Sequence, residues 1–335
     1  MQPIILGYAT GEGLDSMTHE DANRLTHINI AFGLIRDGLL SMHNLPNLKN
    51  QLTRVRAMNP KLRIVLSIGG WGAGGFSLMS RTKEGRNAFK ESVRKVLDEY
   101  ALDGVDIDWE YPCNDAAEID CDPSDKENFT HLMQAMRDAA GTDRIVSIAA
   151  GGGDYFVRDT EMDKVAQICD YIQLMTYDLN WEFKVTRHHT SLYGLENSYP
   201  EGNADYCTKM FHKAGVPMEK IVLGAAFYSR KWQGVQAENN GLLQPTETLG
   251  GYGPRYSDLK ENYINRNGFA RYWDDHAKAP YLFDGSTFIS YDDECSIKEK
   301  CKYILDNGLL GLMYWEHSCD PTGELLKAID DNLRR

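Results

Sequence analysis

Asp106, Asp108 and Glu110 stand two apart in the run Asp103-Gly-Val-Asp-Ile-Asp-Trp-Glu-Tyr-Pro112. In an extended strand such residues leave from one face, at intervals of roughly 7 Å. Three ionised carboxylates that close repel one another, so at least one holds a proton near neutral pH. A carboxylic acid beside a carboxylate is equipment for delivering a proton. Val105, Ile107 and Trp109 have the opposite parity. That apolar face calls for a helical layer against it and turns the acids inward. A solvated acidic edge strand is the bland alternative, but acidic residues are depleted from strands. Asp103 shares the parity of the apolar face and reads as structural.

The elements that would position these acids recur along the chain. Short apolar segments at 4–8, 27–32, 63–68, 104–110, 144–149, 171–177, 221–227 and 309–315 read as strands covered on the outside. Amphipathic stretches lie between them, at 85–100, 124–140, 201–214, 296–306 and 323–333. Ser124 with Glu127, and Ser296 with Glu299, have capping-box spacing. Eight strands alternating with helices suggest an α/β fold, a (β/α)₈ TIM barrel. An open doubly wound sheet is the structural alternative. Residues 229–290 break the rhythm with Gly, Asn, Tyr and Pro. They read as a small, strand-rich subdomain inserted between strand seven and its helix, leaving 1–228 and 291–335 as the barrel.

The site of such a barrel lies at the carboxyl ends of its strands. Tyr8, Phe32, Gly70 with Trp71, Glu110, Met175 to Asp178, Tyr228 and Trp315 stand there. Aromatic rings stack on the C–H faces of sugars, and carboxylates bond their hydroxyl edges. Gly151 to Gly153 is followed by no G-K-[ST], so a P-loop is rejected. His188 and His189 are adjacent, point apart on a regular backbone and lack a third ligand, so hydrogen bonding is preferred to metal binding.

With 335 residues the chain can bury a large core, and its formal net charge of −13 argues against nucleic acid and anionic membranes as partners. No apolar run spans a bilayer. A cytoplasmic location is expected as the chain stands, secretion if a leader has been removed. The seven cysteines form no C-x-x-C pair. Cys113 and Cys121 could bridge in an oxidising compartment, with free thiols preferred.

Together these residues resemble glycoside hydrolase family 18, the chitinases. The D-x-x-D-x-D-x-E motif is matched by Asp103, Asp106, Asp108 and Glu110, S-x-G-G by Ser67, Gly69 and Gly70, and M-x-Y-D by Met175, Tyr177 and Asp178. Trp315 ends the last strand as the family's tryptophan does, and 272–283 with 289–292 look like its inserted α+β subdomain. The resemblance implies a monomeric chitinase acting on chitin or chitooligosaccharides, with no metal or organic cofactor. It implies substrate assistance, in which the substrate's own acetamido oxygen attacks the anomeric carbon. Glu110 is then the general acid, Asp108 orients the acetamido group, Asp106 shares a proton with Asp108, and Tyr177 holds the acetamido oxygen. Tyr8, Phe32, Gly70, Trp71, Met175, Asp178, Tyr228, Arg230, Tyr281 and Trp315 are the candidate substrate-binding residues. Trp181 and Trp232 are further candidates for the cleft wall. Trp181 directly after Asn180, and Arg187 before the two histidines, depart from the family pattern and concern the aglycone side. The rivals are a non-catalytic chitin-binding lectin and an enzyme cutting N-glycans or bacterial wall glycan.

Overall fold

The computed structural model describes residues 2–195, 199 and 201–334. Its strands are β1 (Ile4–Ala9), β2 (His27–Arg36), β3 (Leu39–Ser41), β4 (Arg63–Gly69), β5 (Gly104–Asp108), β6 (Ile145–Gly151) and β7 (Tyr171–Met175). They continue as β8 (Ile221–Ala226), β9 (Tyr228–Gln233), β10 (Gly251–Arg255), β11 (Ala270–Asp274), β12 (Ala279–Phe283), β13 (Thr287–Ser290) and β14 (Gly311–Trp315). Parallel pairing runs β1-β14-β8-β7-β6-β5-β4-β2, and β1 pairs again with β2, which closes a (β/α)₈ barrel. β3 folds back antiparallel on the extended end of β2.

Outward side chains of these strands meet the helices. On Lys83–Glu99 the buried residues are Phe89, Val93, Val96 and Leu97, one stripe at helical spacing. Trp109 packs in this outer layer, stacked on Phe76 at 5.2 Å and edge-on to Phe129. Asp103 stays at the start of β5, where it accepts from the Ile64 backbone and pairs with Arg63.

Two helix starts differ from expectation. Ser124 precedes the helix Asp125–Ala140 but makes no capping bond, because its own φ and ψ are helical and its hydroxyl donates to Asp122. The helix Glu294–Asn307 begins earlier than expected. Asp293 is its cap and Ser296 closes the box, since an Asp at the cap satisfies two backbone N–H groups at once.

Between β8 and that helix, β10-β9-β13-β12-β11 form a separate antiparallel sheet. Trp232, Val235, Tyr281, Phe283 and Phe288 make its own small core. Among the described residues no helix is long and apolar enough to cross a membrane, and the seven cysteines are unpaired.

A buried ion pair ties the second sheet's exit to the barrel. Lys300 Nζ lies 2.7 Å from Asp292 Oδ2, with neither side chain exposed. Asp292 also accepts from Thr190, Ala226 N and Ser296, so the carboxylate is fully satisfied. Removing one partner leaves the other charge buried alone. Lys300→Met is expected to lower the unfolding free energy by about 3–5 kcal/mol in urea denaturation. A change under about 1 kcal/mol would show that the pair does not hold this junction.

Candidate active site

Asp106 lies inside the barrel with no exposure. Its carboxyl accepts four hydrogen bonds: Tyr8 (2.9 Å) and Ser67 (2.7 Å) on Oδ2, Ser147 (2.7 Å) and Gln173 (2.8 Å) on Oδ1. Strand register explains the set, because Ser67 and Ser147 are the direct neighbours of Asp106 across β4 and β6. Burial pushes this carboxyl above the usual range, and the bonds from Ser147, Ser67, Tyr8 and Gln173 oppose the rise.

Asp108, one inward position further along β5, has no such support. Its Oδ1 is buried without a hydrogen-bond partner among the described residues. Burial first, then the charges of Glu110 and Asp106, hold its carboxyl well above the ordinary range. Glu110 stands just past the end of β5 and is buried. Burial raises it to about 7, opposed by a hydrogen bond with Tyr111 and assisted by the charge of Asp178.

Asp178 behaves oppositely. Burial would raise it, but His189 and Arg230 outweigh that and hold it well below the usual carboxylate range. Arg230 Nε donates to Oδ1 at 2.7 Å, and His189 Nδ1 is 3.6 Å from the same oxygen. One cleft therefore contains an Asp and a Glu raised above the carboxylate range, the Glu to about 7, and an Asp held well below it. Such a separation marks acid–base machinery.

The cleft has a volume of about 900 Å³ at the carboxyl ends of the barrel strands. Trp315 forms its floor, stacked on Phe32 at 5.4 Å and 18° and tilted against Tyr8 at 5.6 Å. A register shift between Ala31 and Gly33 turns the Phe32 ring into this position. The Tyr177 hydroxyl has only the Met313 sulfur, 3.8 Å away, as a partner among the described residues. The hydroxyl donates to that sulfur, a weak acceptor that a ligand oxygen can displace.

Residues 4–320 match the glycosyl hydrolases family 18 pattern. The chain belongs to that family. Chitinase A1 of Niallia circulans is 38% identical over 310 residues, covering 85% of this chain and 44% of its own length. The chain thus spans less than half of that relative. Chitinase B of Serratia marcescens is 32% identical, covering 95% of this chain and 78% of its own. The solved structure of a glycoside hydrolase family 18 N-acetylglucosaminidase from Paenibacillus barengoltzii has a TM-score of 0.95 and 48% identity, with 98% and 99% covered.

In this family 18 chain the cleft gathers Tyr8, Phe32, Trp71, Asp108, Glu110, Met175, Tyr177, Asp178, Tyr228, Arg230 and Trp315, together with Trp181. Gly70 stands behind the wall. Its φ is +94°, and a Cβ there would come within 2.8 Å of the Phe32 ring, so glycine is what lets Phe32 take its seat. Tyr281 is not brought to the cleft. It is stacked between Tyr272 and Phe288, at 5.3 and 5.0 Å, in the core of the second sheet. Trp232 is likewise buried there, donating to Phe183 O. Both face the packed side of their strands.

Sequence reading passed over Tyr111, Tyr155 and Tyr252, which also line the cleft, and the role of His189 beside Asp178. The polar support of Asp106 left a trace: Ser67, Ser147 and Gln173 are single polar residues inside otherwise apolar strands.

The sign of the pH dependence follows from Glu110. An acid must carry its proton to give it, and a carboxyl titrating near 7 loses that proton as pH rises. The kcat/KM profile is expected to fall on its alkaline side with a midpoint near 7. A flat profile from pH 6 to 9 would contradict the assignment.

Proposed function

We propose that the chain hydrolyses β-1,4-linked N-acetylglucosamine in chitin or chitooligosaccharides, with retention and with the substrate's acetamido oxygen as nucleophile. The observation that carries this reading is the inward acid ladder of Asp106, Asp108 and Glu110 at the base of an aromatic cleft.

Each group has work that suits its surroundings. Glu110 protonates the bridging oxygen and later takes a proton from water. The unpartnered Asp108 Oδ1 accepts the acetamido N–H and holds the carbonyl oxygen toward the anomeric carbon. The Tyr177 hydroxyl donates to that carbonyl. Four donors on Asp106 favour the shared proton of the pair on Asp108; when the substrate arrives that proton passes to Asp106, and the charge left on Asp108 stabilises the positive ring. Asp178, ionised and fixed by Arg230, bonds a sugar hydroxyl, while Trp315 supports the ring from below. The second sheet supplies Tyr228, Arg230 and Tyr252, which deepen one wall.

A second reading, removal of single N-acetylglucosamine units from chain ends, is favoured by the high identity and full-length match to the N-acetylglucosaminidase. Products from chitohexaose distinguish the two: mainly dimers and trimers for the first, monomer throughout for the second.

Glu110→Gln is expected to leave the melting temperature nearly unchanged and to lower kcat/KM by about 10²–10⁴-fold in a reducing-end assay. Near-wild-type turnover would remove Glu110 from the mechanism. Fully deacetylated chitosan oligomers are expected to be inert, because they lack the internal nucleophile. Their efficient cleavage would rule out substrate assistance.

A further inference from the structure

Arg187 lines the cleft yet is only 6% exposed. Its guanidinium carbon lies 3.9 Å from the centre of the Phe183 ring and 3.4 Å from that of Tyr199. The flat cation is thus sandwiched between two aromatic faces. Stacking serves the faces of the plane but leaves the five N–H groups in its edge unserved. Nε is buried with no hydrogen-bond partner, and no carboxylate pairs with the side chain among the described residues. A buried, unpaired charged donor is costly, and the chemistry at Glu110 does not use it.

The backbone on either side of the stacked rings is tied to the second sheet's loops. Thr186 N donates to Gln244 O and Leu243 N donates to Thr186 O, while Gly250 N donates to Trp181 O. Phe183 and Tyr199 are 39% and 44% exposed, which places the sandwich at the rim of the cleft and the acids at its floor. A sugar reaching Arg187 is therefore a different one from the sugar whose bond Glu110 protonates.

A planar fork of donors selects an oxygen acceptor, either a carboxylate or a neutral amide or hydroxyl oxygen. Glu182 and Glu201 are exposed on the same wall and disfavour an anion. We propose that Arg187 is a specificity-determining residue that binds the acetamido oxygen of a second, uncharged N-acetylglucosamine at the rim. This deepens the function proposed above and rests on it.

Arg187→Met keeps an apolar stem between the two rings and removes every donor, and Arg187→Lys keeps the charge without the fork. The measurements are kcat, KM and melting temperature on chitotetraose and on 4-nitrophenyl N,N′-diacetylchitobioside, whose aromatic leaving group offers no acetamido oxygen. Arg187→Met is expected to lose about tenfold in kcat/KM on chitotetraose, mostly through KM, and less than about threefold on the nitrophenyl substrate. Arg187→Lys should recover part of the loss. Equal losses on both substrates, or none on chitotetraose, would overturn the assignment while leaving the parent activity intact. Wild-type preference for a tetrasaccharide bearing N-acetylmuramic acid would overturn the neutral-sugar part. Failure of the wild type to cut chitotetraose would defeat the parent reading and this one together.

Discussion

Four hydrogen bonds on one buried carboxyl, that of Asp106, organise everything at the mouth of this barrel. They come from β1, β4, β6 and β7, so the site exists only when the ring of strands is closed. Asp106 is thereby the member of the acidic ladder best able to remain charged. Burial first, and then the charges of Glu110 and Asp106, push Asp108 well above the ordinary carboxylate range. The same alternation that turns Asp106 toward its donors turns Val105, Ile107 and Trp109 toward the helices. Chemistry and core are two faces of one strand.

The walls obey a different constraint. Aromatic rings recur along the cleft surface, and each needs backing to stand in water. Phe32 and Tyr8 brace Trp315, while Tyr252 lies 4.0 Å under the Arg230 guanidinium. Arg230 belongs to β9 of the second sheet and Asp178 to the turn after β7. Their bond fastens the two sheets together at the point where the substrate would lie, and it keeps Asp178 charged at the same time.

The barrel and the acids were legible in the sequence because period-two alternation is a direct image of the strand pleat. Ser67 was visible within a motif, and Ser147 and Gln173 only as polar breaks in apolar strands. Which carboxyl they serve depends on register between strands far apart in the chain. Tyr281 and Trp232 were misplaced for a related reason: both lie in a sheet whose packed face no local pattern announces. Ser124 shows the limit at helix ends, where a capping motif was present but Asp122 competed for the hydroxyl. Arg187 stood out as an unusual residue, yet its lack of a partner is a property of the folded surroundings.

The lacing between the loop after β7 and the second sheet has an evolutionary consequence. Trp181, Phe183 and Thr186 are each bonded to a residue in 232–250, so neither segment keeps its shape without the other. Lineages that reshape the rim must alter both stretches in step. A chimaera that transplants one of them alone would inherit a gap rather than a new preference.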